Sequence, residues 1–315
     1  MKIILEQIGI LSIMTIIGVI AFKLKAITRE NNVGLAKVII KITLPLLVFT
    51  TFAGTTLNKE IISNFPFIFS AAVFSVMVLF LLSKLSGKIL KLDKENSALH
   101  SVHTMFGNVV FLGFPLLNAI FPGGEGLIYA TIFQLGHDTL MWTLGIFMLN
   151  KGSQKKTSHN WKHLINPTTI AFFFGVLFLV FKIKIPELVF TPLNKIGHTT
   201  IYLSMIYVGA VLAGVKIKSL ISNLRSYFLS FNKLILGPVI LMGLFFLLKT
   251  LGVEIPNKAI LVSVMQAAMP CMIIISVLAE EMGLNSKQAV ENIFVSSILS
   301  VGTLPFIYWL VGVLF

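Results

Sequence analysis

The chain is 315 residues long, 56% hydrophobic and only 12% charged, with a mean hydropathy of +0.94. Soluble domains carry about 25% charged residues, so this composition excludes a soluble globular enzyme and points to an integral membrane protein. The net charge of +13 raises nucleic acid as a partner, but the Lys and Arg sit in short connections between apolar runs, a pattern of membrane topology rather than of nucleic-acid binding.

Apolar stretches of about 20 residues, enough to cross about 30 Å of hydrocarbon, fall at 3–22, 33–53, 65–85, 97–121, 126–149, 164–181, 195–215, 228–250, 258–282 and 288–312. They predict ten transmembrane helices. The first follows Met1-Lys2 but lacks an Ala-x-Ala-like site and runs too long for a signal peptide, so an uncleaved first helix is expected. Lys41 lies about two turns into the second span, one turn before Pro45. It either snorkels to the surface or attracts an anion.

The fourth and ninth spans are interrupted at their centres. The fourth reads His103-Thr-Met-Phe-Gly-Asn108-Val-Val-Phe-Leu-Gly113-Phe-Pro115, the ninth Ser263-Val-Met-Gln266-Ala-Ala-Met-Pro270-Cys271. In lipid every backbone N–H and C=O must be paired within the protein. Pro115 and Pro270 each remove a donor and clash with the carbonyl four residues back. Breaks at matching places in two halves point to a secondary transporter's binding site. If the broken helices cross, their half-helix amino ends favour an anion, held by groups at Asn108, Gly113, Pro115, Gln266, Pro270 and Cys271. The competing reading of either segment alone is an ordinary proline kink.

In the fifth span Thr131, Gln134, Asp138 and Trp142 share one helical face. Asp138 is the carboxylate nearest the bilayer centre, and an intramembrane acid is by default a functional candidate. Asp138 with Gln134 is therefore expected to carry a coupling proton. His137, round the helix from it, is expected to pack or cap. The one cysteine, Cys271, permits neither an intramolecular disulfide nor a thiolate zinc site. No Walker A, H-E-x-x-H or G-x-S-x-G motif is present, so no enzyme activity, cofactor or metal is expected.

Basic residues set the orientation. They crowd the odd-numbered connections, at Lys23, Lys25, Arg29 and Lys37, at Lys84 to Lys94, at Lys151 to Lys162, and at Lys216, Lys218, Arg225 and Lys233. The positive-inside rule then places both termini outside. The most polar linker, 151–162, divides the chain into halves 1–150 and 163–315. Five spans per half means that the second enters the membrane inverted. Phe22-Lys23-Leu24-Lys25 is echoed by Phe181-Lys182-Ile183-Lys184, and Ala53-Gly54 by Ala213-Gly214. The expected fold is all-α, ten helices in two inverted five-helix repeats, with helices four and nine broken and crossing.

Gly107-Asn108-Val-Val-Phe-Leu-Gly113-Phe-Pro115-Leu116 resembles the span-four signature of the auxin efflux carrier family, whose bacterial members include malate and malonate permeases. Gln266-Ala-Ala-Met-Pro270, Leu278-Ala-Glu280 and Ser296-Ser-Ile-Leu-Ser300-Val-Gly-Thr303-Leu-Pro305 are similar to the matching C-terminal signature, and Thr43-Leu-Pro45 fits the second span. The resemblance covers essentially the whole chain. It implies a scaffold of spans one, two, six and seven, often the contact of a homodimer. It also implies a moving bundle of the other six and small carboxylate or auxin-like substrates in a bacterial-type plasma membrane. The expected activity is secondary active transport of a mono- or dicarboxylate, coupled to protons. A sodium-coupled symporter of the bile-acid type, a channel and a non-transporting membrane sensor remain open beside it.

Overall fold

In the computed structural model of the chain, residues 2–54, 59–121, 123–153, 167–214 and 224–315 are described. Among them every regular element is helical, apart from one isolated antiparallel bridge between Gly107 and Cys271. Helix α1 covers Lys2–Lys23. α2 (Arg29–Val38) and α3 (Leu44–Ala53) are joined by a π turn at Ile39–Thr43. α4 is Lys59–Ile89. α5 (Lys94–Met105) and α6 (Phe114–Ile120) are separated by an extended break and a π turn at Val109–Gly113. α7 (Glu125–Leu140) runs through a π turn, Met141–Gly145, into α8 (Ile146–Gly152). α9 is Pro167–Val180 and α10 Glu187–Ala213. α11 (Leu224–Phe231) and α12 (Gly237–Thr250) flank a π turn at Asn232–Leu236. α13 (Asn257–Ala267) and α14 (Ile274–Glu281) are separated at 268–273, and α15 is Ser286–Leu314.

Among the described residues five stretches are long and apolar enough to cross a membrane: Glu30–Ala53, Ser63–Ile89, Glu187–Ala213, Leu224–Thr250 and Ser286–Leu314. Shorter apolar helices lie at Gly9–Lys23, Val109–Ile120 and Pro167–Val180. The polar linker lies outside the described residues from 154 onward.

Three of the four π turns among the described residues have one cause. Pro45, Pro115 and Pro238 each sit at the start of the following α-helix. A proline offers no N–H and pushes away the carbonyl four residues back. The chain relaxes by widening the preceding turn to i→i−5 bonds, as from Leu44 N to Ile39 O, Gly113 N to Asn108 O (3.1 Å) and Gly237 N to Asn232 O.

Close backbone approach sorts the helices into two bodies, because small residues let membrane helices touch. In the first, α1 packs along α10, α10 against α3, and α3 against α9. A Cβ on Gly209 would lie 2.9 Å from Val19 N, one on Gly197 2.7 Å from Leu47 N, and one on Gly175 2.9 Å from Phe52 Cβ. In the second body α4 packs on α5 and α7, and α5 on α8. There a Cβ on Gly136 would lie 2.9 Å from Phe69 O, and one on Gly126 2.8 Å from Leu117 O. Among the described residues no glycine makes such an approach across the seam between the bodies. The amino end of α5 is fixed by Asp93, which accepts bonds from Asn96 N (2.8 Å) and Asn96 Nδ2 (2.7 Å). Those bonds hold its carboxyl below the usual carboxylate range.

Candidate functional site

The two interrupted segments meet. Asn108 N donates to Pro270 O at 2.7 Å and Met272 N to Phe106 O at 3.1 Å. They pair Gly107 with Cys271 in antiparallel fashion. Backbone groups freed by the breaks therefore satisfy one another, as the hydrocarbon demands. The N–H groups that point away from this pairing are met by side chains from two further helices. Gly107 N donates to His137 Nε2 of α7 at 3.1 Å, and Cys271 N donates to Ser296 Oγ of α15 at 3.1 Å.

Asn108 has two roles here. Its Oδ1 accepts from Phe111 N at 3.2 Å, closing the amino end of the π turn that leads into α6. The same residue forms part of the wall of a cavity of about 390 Å³ at the seam between the two bodies. Ser12 and Thr15 of α1 and Ser297 and Ser300 of α15 supply hydroxyl groups to that wall, and Lys23 stands at one end. The rest of the lining, from α1, α6, α10, α15 and the π turn before α6, is apolar.

Gln266 is fully buried, and among the described residues neither of its amide atoms has a hydrogen-bond partner. It is pressed onto Gly113: a Cβ there would overlap Gln266 Oε1 and lie 3.1 Å from its Cδ. Gly113→Ala should therefore cost roughly 1–3 kcal/mol. In the Gly113→Ala/Gln266→Ala double variant most of that loss should disappear, giving a coupling energy of about 1 kcal/mol or more in a denaturation cycle. Additive losses would place the amide elsewhere.

Gln134 and Asp138 are joined to the crossover through a residue the sequence reading assigned to packing or capping. Asp138 Oδ2 accepts from Gln134 Nε2 at 3.0 Å, and Asp138 Oδ1 lies 3.2 Å from His137 Nδ1. With Nε2 accepting from Gly107, the imidazole proton sits on Nδ1 and points at Asp138. His137 thus bridges the carboxylate and the backbone of the break. Thr131, on the same face, bonds only to Leu127 O of its own helix among its described contacts.

The structure therefore brings Asn108, Gly113, Gln266, Pro270 and Cys271 together and links Gln134 and Asp138 to them, while Pro115 is buried at the start of α6, two residues after Gly113. Lys41 is not gathered in: it lies on an exposed face of the Ile39–Thr43 π turn. Lys233 requires a correction. Counted by sequence with the cytoplasmic connection, it is buried, 1% exposed, and its Nζ donates to Met105 O at 3.3 Å at the carboxyl end of α5. A signal was present, because Lys233 falls inside the apolar span 228–250, five residues before Pro238. The anion argument also gains a second side. Amino ends of the α6 and α14 arms and carboxyl ends of α5 and α13 all converge here, so the local field has a positive and a negative face.

The family described as membrane transport protein matches residues 3–308. An uncharacterized transporter of Methanothermobacter thermautotrophicus is 26% identical over 306 residues, covering 93% of this chain and 93% of that protein. An uncharacterized transporter of Methanocaldococcus jannaschii is 24% identical over 315 residues, covering 97% of this chain and 98% of that protein.

Proposed function

The chain belongs to the membrane transport protein family, of the auxin efflux carrier type, and we propose that it is a secondary active transporter for a small organic anion, working by alternating access. The family is one of membrane transporters, not of enzymes. The observation that carries the proposal is the hydrogen-bonded crossover of two broken helices, with Asn108 shared between it and a cavity at the seam of two separately locked bodies. A seam that no described glycine locks by close backbone approach is where one body can move against the other, exposing the cavity to each side in turn.

Joined through their π turns and breaks, the helices make ten rods, which we read as two inverted repeats of five. The bonding of the crossover supports this: His137 on the fifth rod and Ser296 on the tenth do equivalent work for Gly107 and Cys271. So do the ends of α3 and α10, where Gly54 and Gly214 close the helices with nearly the same backbone angles (φ −87°, ψ −4° and φ −73°, ψ −4°). With the basic connections facing the cytoplasm and both termini outside, the cavity opens toward Lys23 on the cytoplasmic face. The proposed membrane is a bacterial-type plasma membrane. Homodimerisation would use the α1, α3, α9, α10 body.

In this reading one carboxylate of the solute meets the Asn108 amide and the cavity hydroxyls, while its carbon body lies on the apolar wall. The lining supports a monoanion with an apolar body more than a dicarboxylate, since among the described residues Lys23 is the single cation a second carboxylate would find. A coupling proton is held at the Asp138–His137 pair. Adding it to His137 Nε2 would turn that acceptor into a donor and release the Gly107 N–H, joining protonation to the geometry of the break. Lys233 is the other charged group beside this pair.

Uptake and counterflow of labelled monocarboxylates by proteoliposomes test the assignment. Saturable exchange is expected, and a channel would show none. Asp138→Asn should transport with a flat pH profile across about pH 5–8, because it removes the carboxylate that holds the coupling proton on His137 while keeping the shape of the side chain. An Asp138→Asn profile that follows the parent's would move the coupling proton to another group.

A further inference from the structure

The crossover contains a charge that the transport reading does not use. Helices α5 and α13 both end at the centre of the protein, and the last carbonyls of a helix have no partner within it. Each such end carries a partial negative charge of roughly half an elementary charge. Two of them brought together away from water call for a cation. The sequence supplies one from a distant rod. Lys233, on the π turn between α11 and α12, extends into this place. Its Nζ donates to Met105 O, the carboxyl end of α5.

Gly107 shows how tightly the ammonium is held. A Cβ there would lie 3.1 Å from Lys233 Nζ and 3.2 Å from Lys233 Cε, and also 3.1 Å from Met269 O, just beyond the end of α13. A side chain at 107 would press on the ammonium and on the second carbonyl alike. Cys271 and the His137 imidazole are polarisable groups close to the charge. Among the described residues no carboxylate pairs with Lys233; the ion pairs are His137–Asp138, Lys258–Glu125 and Lys287–Glu291. A buried ammonium compensated by carbonyl oxygens and helix ends, rather than by a carboxylate, has the surroundings of a bound alkali ion.

We propose that Lys233 is a tethered cation filling a monovalent-cation site made by the carboxyl ends of α5 and α13, so that the protein neither needs nor binds sodium there. The statement about transport rests on the carrier reading; the statement about the site does not. The π turn matters to both, because widening the helix before Pro238 is what lets a residue at 233 leave the regular helical face and reach inward.

The site can be read without any transported solute, from the melting temperature of detergent-purified protein in sodium chloride against choline chloride. The parent and Lys233→Arg, which keep the charge attached, should melt at the same temperature in both salts. Lys233→Ala leaves the carbonyl ends without their cation and opens room for a free one. It should be stabilised by sodium or ethylammonium, and not by choline, which is too large. At a sodium concentration about ten times its dissociation constant the expected rise is roughly 2–4 °C. Lys233→Ser serves in the same assay if the alanine variant does not accumulate, since its short hydroxyl side chain carries no charge and leaves the same volume open. A variant indifferent to the cation, or a parent stabilised by sodium, would overturn the tethered-cation site while leaving the carrier reading intact. Failure of the parent to exchange any organic anion, with the melting pattern as expected, would do the reverse.

Discussion

Replacing Asn108 by alanine should reduce uptake roughly 10–100-fold, the size of a lost hydrogen bond to a charged group, while the protein still folds. Two losses are combined in this variant. The Oδ1 bond to Phe111 N closes the amino end of the arm leading into α6, and removing such a cap costs about 1 kcal/mol. The amide at the cavity wall is the larger loss for function. Asn108→Asp separates the two. Aspartate caps a helix about as well as asparagine, so Asn108→Asp should melt within about 1 °C of the parent. Its charge would repel an anionic solute, so its uptake should fall below that of Asn108→Ala. Equal uptake by parent and Asn108→Asp, with either solute binding or exchange as the readout, would remove the anion from this part of the cavity.

Gly209→Leu should prevent assembly of the α1, α3, α9, α10 body, with a cost above about 3 kcal/mol and little folded protein recovered. Gly209 and Gly18 lie where α10 and α1 touch backbone to backbone. A Cβ on Gly209 would overlap Thr15 O and lie 3.0 Å from Gly18 Cα, and one on Gly18 would overlap Ile206 O and lie 2.9 Å from Ile206 C. These are main-chain atoms, which cannot swing away as a flexible side chain can. Accommodating leucine means moving two long helices apart and losing the packing that holds them, because lipid supplies no hydrophobic force to press them together. The control is Gly312→Ala, where a Cβ meets nothing within 4 Å. That change should be neutral or slightly stabilising, since alanine is the better helix former by about 1 kcal/mol. Detergent melting and size-exclusion profiles of the two variants make the comparison.

The broken segments were legible because the rules that mark them are local. Proline lacks an N–H wherever it stands, and Asn, Gln and Gly in an apolar run signal backbone that leaves the helix. Asp138 and Gln134 were legible from helical spacing, and they are bonded to each other. The role of His137 was only half visible. Spacing placed it beside Asp138, but the donor it accepts from, Gly107 N, lies 30 residues earlier in the break between α5 and α6. Lys41 and Lys233 show where spacing fails. Both precede a proline inside an apolar span, yet Lys41 is exposed and Lys233 buried. The difference is which face of the rod the π turn presents to its neighbours, and that depends on packing.

The sequence by itself determined that this is a helical membrane protein of a transporter family, where its helices break and which polar residues interrupt them, because lipid imposes backbone pairing residue by residue. Tertiary structure alone decided what the breaks are joined to: Pro270 O for Asn108, His137 and Ser296 for the outward N–H groups, and the Lys233 ammonium for the end of α5, 128 residues away along the chain. A freed backbone group announces only that it needs a partner. Which partner arrives is settled by how rods distant in sequence pack, and no local pattern encodes that.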